Sequence, residues 1–217
     1  MSTVHAATDS HGDHSDLVAE DPHFGKATGG KIAMWMFIAQ DGMSFGGLLF
    51  AYGILRATAA EWPIPAEVLG INLTAFATFL LICSSLTMVF AVLAAEERNQ
   101  KNLVKYLGLT ILGGIGFLGI QVYEYMHLVH IGVGFVESSF QGEPINSLFG
   151  TTFYAVTGFH GLHVLSGVIY LICIFKGALQ GKYTQGGTSS SPVELVGLFW
   201  HFVDLVWILV FTFIYLL

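Results

Sequence analysis

Val68-Leu69-Gly70-Ile71-Asn72-Leu73-Thr74-Ala75-Phe76-Ala77-Thr78-Phe79-Leu80-Leu81-Ile82-Cys83-Ser84-Ser85-Leu86-Thr87-Met88-Val89-Phe90-Ala91-Val92-Leu93 runs without a charged side chain. About 20 such residues, rising ~1.5 Å each as a helix, cross the ~30 Å hydrocarbon core of a bilayer. Four further apolar runs of spanning length occupy roughly 32–56, 103–129, 148–176 and 194–217. None alternates with period two, which excludes spanning strands. The pattern predicts an all-α polytopic membrane bundle with five transmembrane helices. Residues 32–217 form that domain, behind a polar tail at 1–31.

Composition agrees. Of 217 residues, 54% are hydrophobic and only 11% are charged. A soluble domain carries about 25% charged residues, so lipid must replace water over much of this surface. The net charge of −7 offers no basic footprint for nucleic acid. Cys83 and Cys173 both sit inside apolar runs, match no metal motif and are not expected to form a disulfide. The tail holds His5, His11, His14 and His23 among five acidic residues, with no apolar leader. It reads either as a metal-collecting segment or, more simply, as solvated and disordered chain. Insertion is then expected to start from the first spanning segment.

Lys and Arg set the expected orientation. Lys26, Lys31, Arg98, Lys101, Lys105, Lys176 and Lys182 fall on one face, against Arg56 alone on the other. The positive-inside rule puts the tail in the cytoplasm and the C-terminal end outside. Lys176, Arg56 and Trp62 stand at span ends, where lipid headgroups and the interface lie. Gly42 and Gly46 form a GxxxG pair, and Gly113, Gly114, Gly116 and Gly119 thin one side of the third span. Both patterns predict close helix packing.

Ionisable groups inside a span are costly and need a partner or a purpose. Here they are Asp41, Glu124, His160, His163, His201 and Asp204. From the helix rise, Asp41, His201 and Asp204 lie ~14, ~10 and ~15 Å from the inner face. His160 and His163 lie ~18 and ~22 Å from the outer one, which returns them to nearly the same layer. His160/His163 and His201/Asp204 each have i, i+3 spacing and share a helix face. Three roles fit: a hydrogen-bonded seam joining the fourth and fifth spans with Glu124 as a further partner, a metal or haem site, or a proton path. The spacing favours the seam. Trp200 and Trp207, two turns apart, read as packing residues.

Two stretches resemble a known family. Thr157-Gly158-Phe159-His160-Gly161-Leu162-His163-Val164 and Trp200-His201-Phe202-Val203-Asp204-Leu205-Val206-Trp207 are similar to the two signatures of subunit III of haem-copper terminal oxidases. Phe149-Gly150-Thr151-Thr152-Phe153-Tyr154, Gln121-Val122-Tyr123-Glu124-Tyr125 and Leu81-Ile82-Cys83-Ser84-Ser85-Leu86-Thr87 resemble its neighbouring segments, in the same order. The resemblance implies a non-catalytic membrane subunit of a bacterial proton-pumping cytochrome c oxidase. No cofactor is expected in this chain; haem and copper belong to partner subunits. Subunit I packs directly against it, subunits II and IV complete the complex, and a larger supercomplex is a further expectation. The family binds phospholipids and supports proton uptake into subunit I. Its carbodiimide-reactive glutamate falls on Asp41, one methylene shorter, within Phe37-Ile38-Ala39-Gln40-Asp41. The length matches the five-helix bacterial form and lacks the two leading helices of the seven-helix form. A quinol oxidase subunit, an independent haem-binding carrier and a transporter are the alternatives.

Overall fold

The computed structural model describes residues 29–135, 139–140, 143–144, 146–184 and 191–217. The tail histidines and residues 185–190 of the fourth connection lie outside the described residues. Five long helices cross the molecule: α1 (Gly29–Thr58), α3 (Ile71–Glu96), α4 (Gln100–His130), α5 (Ser147–Leu179) and α6 (Ser191–Val210), the last continued by a wider π-helical turn, Phe211–Leu216. A four-residue helix, α2 (Pro65–Val68), caps the first connection, and a two-residue antiparallel pair, β1 (Ser139–Phe140) with β2 (Glu143–Pro144), lies in the third. All five spanning helices are long and apolar enough to cross a membrane.

The helix ends follow from local chemistry. Pro63 and Pro65 stop α1 from continuing, and Pro65 opens α2, where a missing N–H costs nothing. Asn99 and Asn146 cap α4 and α5 by accepting from the Asn102 and Leu148 amides at 3.2 and 3.1 Å. Three C-termini close with the same paired bonds, running from two and three residues past the end back into the last turn. Asn99 N–H reaches the Ala94 carbonyl at 2.8 Å, Val133 reaches Leu128 at 2.9 Å, and Lys182 reaches Gly177 at 3.1 Å. That motif needs a left-handed residue, supplied by Arg98 (φ 55°), Gly132 (φ 95°) and Gly181 (φ 73°). The caps keep this connection tight: only residues 97–99 separate α3 from α4.

Gly132 also abuts β1. A Cβ there would stand 2.8 Å from the Ser139 carbonyl oxygen. Gly132→Ala is expected to cost about 2 kcal/mol from left-handed strain plus contact, seen as lower thermal stability. An unchanged melting temperature would contradict the cap.

α3 and α4 pack along their length, α4 and α6 flank α5, and α6 lies against α1, α3 and α5 as the most enclosed span. Its two tryptophans are the reason. Trp200 and Trp207 are almost wholly buried, and each indole N–H donates across to α3: Trp200 to Ser84 Oγ at 3.1 Å, Trp207 to Thr78 Oγ1 at 2.9 Å. Gly113 and Gly114 make the expected close approach. A Cβ on Gly113 would meet Ser84 Cβ at 2.6 Å, and one on Gly114 would meet Trp200 Cη2 at 2.6 Å. Gly46 does not behave as expected. Nothing lies within 4 Å of its added Cβ, and only Phe202 approaches that of Gly42. Among the described residues the GxxxG stripe of α1 is not packed closely by another helix, though α1 meets α5 and α6. Cys83 and Cys173 are free thiols.

Candidate functional site

The intramembrane polar groups do not form one seam between α5 and α6. Among the described residues they sort into separate nodes. His163 on α5 faces α1: its Nε2 lies 3.2 Å from Asp41 Oδ2, at ion-pair distance but without hydrogen-bond angles. Its Nδ1 sits 2.8 Å from the Phe159 carbonyl oxygen, one turn back, so that nitrogen carries the proton in this geometry.

His160, one turn away on the same helix, has no polar partner on either ring nitrogen and is fully buried. Its ring lies over Trp207 at 4.8 Å between centroids and meets the Phe117 ring edge-on at 5.8 Å. The i, i+3 spacing holds, but α5 turns one imidazole toward α1 and the other into the aromatic core. His201 and Asp204 on α6 look instead to α3. Ser85 Oγ lies 2.6 Å from His201 Nδ1, and Asp204 Oδ1 is buried with no hydrogen-bond partner among the described residues.

Glu124 makes the best-satisfied node, and it is remote from the histidines by bonding. Its two carboxyl oxygens accept from Thr74 Oγ1 on α3 and from the Tyr215 hydroxyl in the π-helical turn, both at 2.8 Å. The wider turn after Val210 brings Tyr215 inward, where it is 2% exposed. Beside it, Gln121 Nε2 donates to the Thr157 carbonyl at 2.8 Å, and the Tyr125 and Thr157 hydroxyls meet at 2.6 Å. The partner hydroxyls Thr74, Ser85 and Tyr215 were not singled out by sequence. Ser and Thr in an apolar span signal cross-helix bonds in general, but spacing alone does not say which carboxylate they meet.

The interface residues divide as well. Lys176 is exposed near the end of α5. Arg56 donates from Nη2 to the Leu217 carbonyl oxygen and so ties the end of α1 to the π-helical turn. Trp62 stands edge-on to Tyr52 and Phe149, both at 5.7 Å, with its indole nitrogen enclosed rather than turned toward headgroups. Among the described residues no three His, Cys, Asp or Glu side chains gather as a metal-ligand set. The donor chemistry matches that dispersal: the three intramembrane histidines point to α1, to aromatic rings and to Ser85.

Asp41→Leu is expected to leave the inward imidazole of His163 without its carboxylate and to cost about 1–3 kcal/mol of bundle stability, with Asp41→Asn costing less. Thermal unfolding of the two variants in one detergent checks the ranking. Equal losses would show that the carboxylate's polarity is irrelevant to packing.

Residues 4–217 match the family model described as cytochrome c oxidase subunit III. The chain is 33% identical over 187 residues to cytochrome c oxidase subunit 3 of Bacillus subtilis, covering 86% of this chain and 85% of the relative. It is 35% identical over 181 residues to the probable cytochrome c oxidase subunit 3 of Nocardia farcinica, covering 83% and 84%. It is also 32% identical over 186 residues to the cytochrome bo(3) ubiquinol oxidase subunit 3 of Pseudomonas putida, covering 86% and 84%. The five-span bundle, the two signature stretches at its centre and these matches together place the chain in the cytochrome c oxidase subunit III family, as the membrane subunit III of a terminal oxidase complex.

Proposed function

We propose that this chain is the non-catalytic subunit III of a proton-pumping haem-copper oxidase in a bacterial cytoplasmic membrane, with the N-terminal tail inside. It packs against a catalytic subunit I, which with subunit II carries the haems and copper, and it stabilises that subunit and its proton uptake. The observation that carries the reading is the use made of the two signature stretches. Their largest side chains, Trp200, Trp207 and Phe159, and their histidines are spent on packing and on single cross-helix contacts. Dispersed imidazoles of this kind suit a scaffold better than an electron carrier. In this reading Asp41, 3.2 Å from His163, takes the position of the family's reactive glutamate, which the resemblance of Phe37-Ile38-Ala39-Gln40-Asp41 supports.

Mild-detergent purification through this chain tests the proposal. Co-purifying subunits I and II with haem absorption are expected, and the isolated chain is expected to show no Soret band. A stoichiometric Soret band on the isolated chain would overturn the non-catalytic reading. Asp204→Leu gives a second check. It removes the carboxylate beside Ser85, and weaker retention of the chain in the complex is expected; a complex equally stable and active would remove Asp204 from the scaffold. The Pseudomonas putida relative favours one second reading, the equivalent subunit of a quinol oxidase. A copper-site domain on the co-purifying subunit II decides for cytochrome c as donor, and its absence decides for quinol.

A further inference from the structure

The α3–α4 connection and the end of α5 are tied together at one end of the bundle. Gln100, the first residue of α4, donates from Nε2 to the Ala178 carbonyl oxygen and accepts at Oε1 from the Thr184 hydroxyl. Five exposed cations surround that junction: Arg98, Lys101, Lys105, Lys176 and Lys182. None of them forms an ion pair among the described residues, and Lys105 only approaches the Tyr106 ring, at 5.7 Å from its centre. Glu96 and Glu97, the nearest carboxylates along the chain, leave the junction net positive. Lys31 is engaged elsewhere. It pairs with Glu194 at 2.5 Å over a groove between α1, α3 and α6, whose rim Glu96 also lines. The junction is firmly built. Left-handed caps hold Arg98 and the turn before Lys182. Tyr183 is packed on Gly177, where an added Cβ would stand 2.7 Å from its hydroxyl.

The complement to this charge lies on the same chain and at the same end. The spanning helices alternate in direction, so the start of α1 shares its end of the bundle with the α3–α4 connection and the end of α5. Residues 1–28 precede α1 there. They carry Asp9, Asp13, Asp16, Glu20 and Asp21 against Lys26 alone, a net −4 with the histidines neutral. Reach is no obstacle. α1 touches α5, and packed helices lie ~8–10 Å apart. The eight-residue step from Asp21 to Gly29 can span ~27 Å. Opposite charges at the two places attract and fix which surfaces meet. The tether to α1 holds the acidic segment at an effective concentration on the order of millimolar, an advantage that a free acidic partner lacks. Once docked, the tail occupies cations that would otherwise take up anionic groups from solution or from the membrane surface.

We propose that the acidic segment 9–21 of this chain docks on its own basic junction, formed by Arg98, Lys101, Lys105, Lys176 and Lys182. The proposal goes beyond the subunit reading and depends only on which helix ends share a face. The test treats the intact complex, in dilute nanodiscs of phosphatidylcholine, with a water-soluble carbodiimide. The reagent joins a carboxylate to an amine in contact with it as an amide and leaves as a urea, taking up the water lost. Mass spectrometry of the digest then locates the linked pairs. Links from carboxylates of segment 9–21 to Lys101, Lys105, Lys176 or Lys182 are expected, with the Lys31–Glu194 link as internal reference. Relative to that reference, the double variant Lys101→Glu, Lys182→Glu is expected to lower the yield at Lys105 and Lys176 about fivefold, and about 1 M salt to do the same in the parent. In a mixture of isotope-labelled and unlabelled complexes, only links within one label are expected. Absence of these links while the reference forms, or links that join two labels, overturns the proposal. So does their loss when phosphatidylglycerol replaces phosphatidylcholine, because anionic headgroups then hold the junction. The haem spectrum and subunit content of the same samples test the subunit reading separately.

Discussion

Replacing Trp200 with alanine is expected to cost about 3–5 kcal/mol and to strip this chain from the complex at detergent concentrations the parent survives. Trp200 is 1% exposed and fills the space that two glycines on different helices leave open. Its six-membered ring lies against Gly114 of α4 and Gly167 of α5, and its N–H donates to Ser84 of α3. Truncation therefore opens a cavity at a point where α3, α4, α5 and α6 all meet. In a bilayer, where lipid tails are as apolar as leucine, such packing contacts carry much of helix association, so a cavity here is felt by the whole bundle. Trp200→Phe is the milder change. It keeps an aromatic ring but loses the N–H and the outermost ring atoms, and Ser84 Oγ still donates to the Leu81 carbonyl at 2.7 Å, so a smaller loss of about 1–2 kcal/mol is expected. Thermal unfolding of the purified complex and immunodetection of the retained chain give both readouts. A Trp200→Ala complex as stable as the parent would refute the central role of the residue.

The second large effect runs the other way, by overfilling. Gly114→Val is expected to destabilise by about 3 kcal/mol, because even a Cβ at this position would stand 2.6 Å from Trp200 Cη2 and 2.8 Å from Val168 Cγ2. Neither neighbour can swing away, since Trp200 is pinned by Ser84 and Val168 is buried on α5. The helices must separate instead. A double-mutant cycle makes the mechanism specific. Phenylalanine at 200 lacks the outermost ring atoms that Gly114 accommodates, so Gly114→Ala should cost clearly less in the Trp200→Phe background. Additive losses would show that α4 yields elsewhere and that the Gly114–Trp200 contact is not the limiting one.

The polar groups show where a one-dimensional reading stops. His160 and His163 are three residues apart, and a helix does put them on one broad face. Three residues still differ by about 60° of rotation from a full turn. On α5 that angle separates a ring aimed at Asp41 from a ring buried on Trp207. Depth was readable from counting, and the shared layer it gave does bring Asp41 to His163. Azimuth was not readable, because it depends on which neighbour each helix packs against. The same limit applies to Glu124. Its need for partners follows from its place in a span, but Tyr215 reaches it only through the π-helical turn, and no residue pattern near 211–216 announces a change of helical pitch. It applies also to Gly42 and Gly46. A GxxxG pair is an invitation to pack, and whether a helix accepts it is settled by the partner; among the described residues only Phe202 comes near Gly42 and nothing comes near Gly46.

Sequence by itself determined the number of crossings, the helix boundaries to within a few residues, and the membership signalled by the stretches around His160 and His201. Those features depend on run length, capping residues and residue order, which are properties along the chain. Only the tertiary structure decided that the histidines and carboxylates act through separate contacts with α1 and α3, that Trp62 packs inward, and that three helix ends gather Lys31, Glu96 and Glu194 over one groove. Each of those depends on how far a helix is rotated about its own axis against a neighbour remote in sequence. That rotation is set by side-chain fit, as between Trp200 and Gly114, and by nothing local.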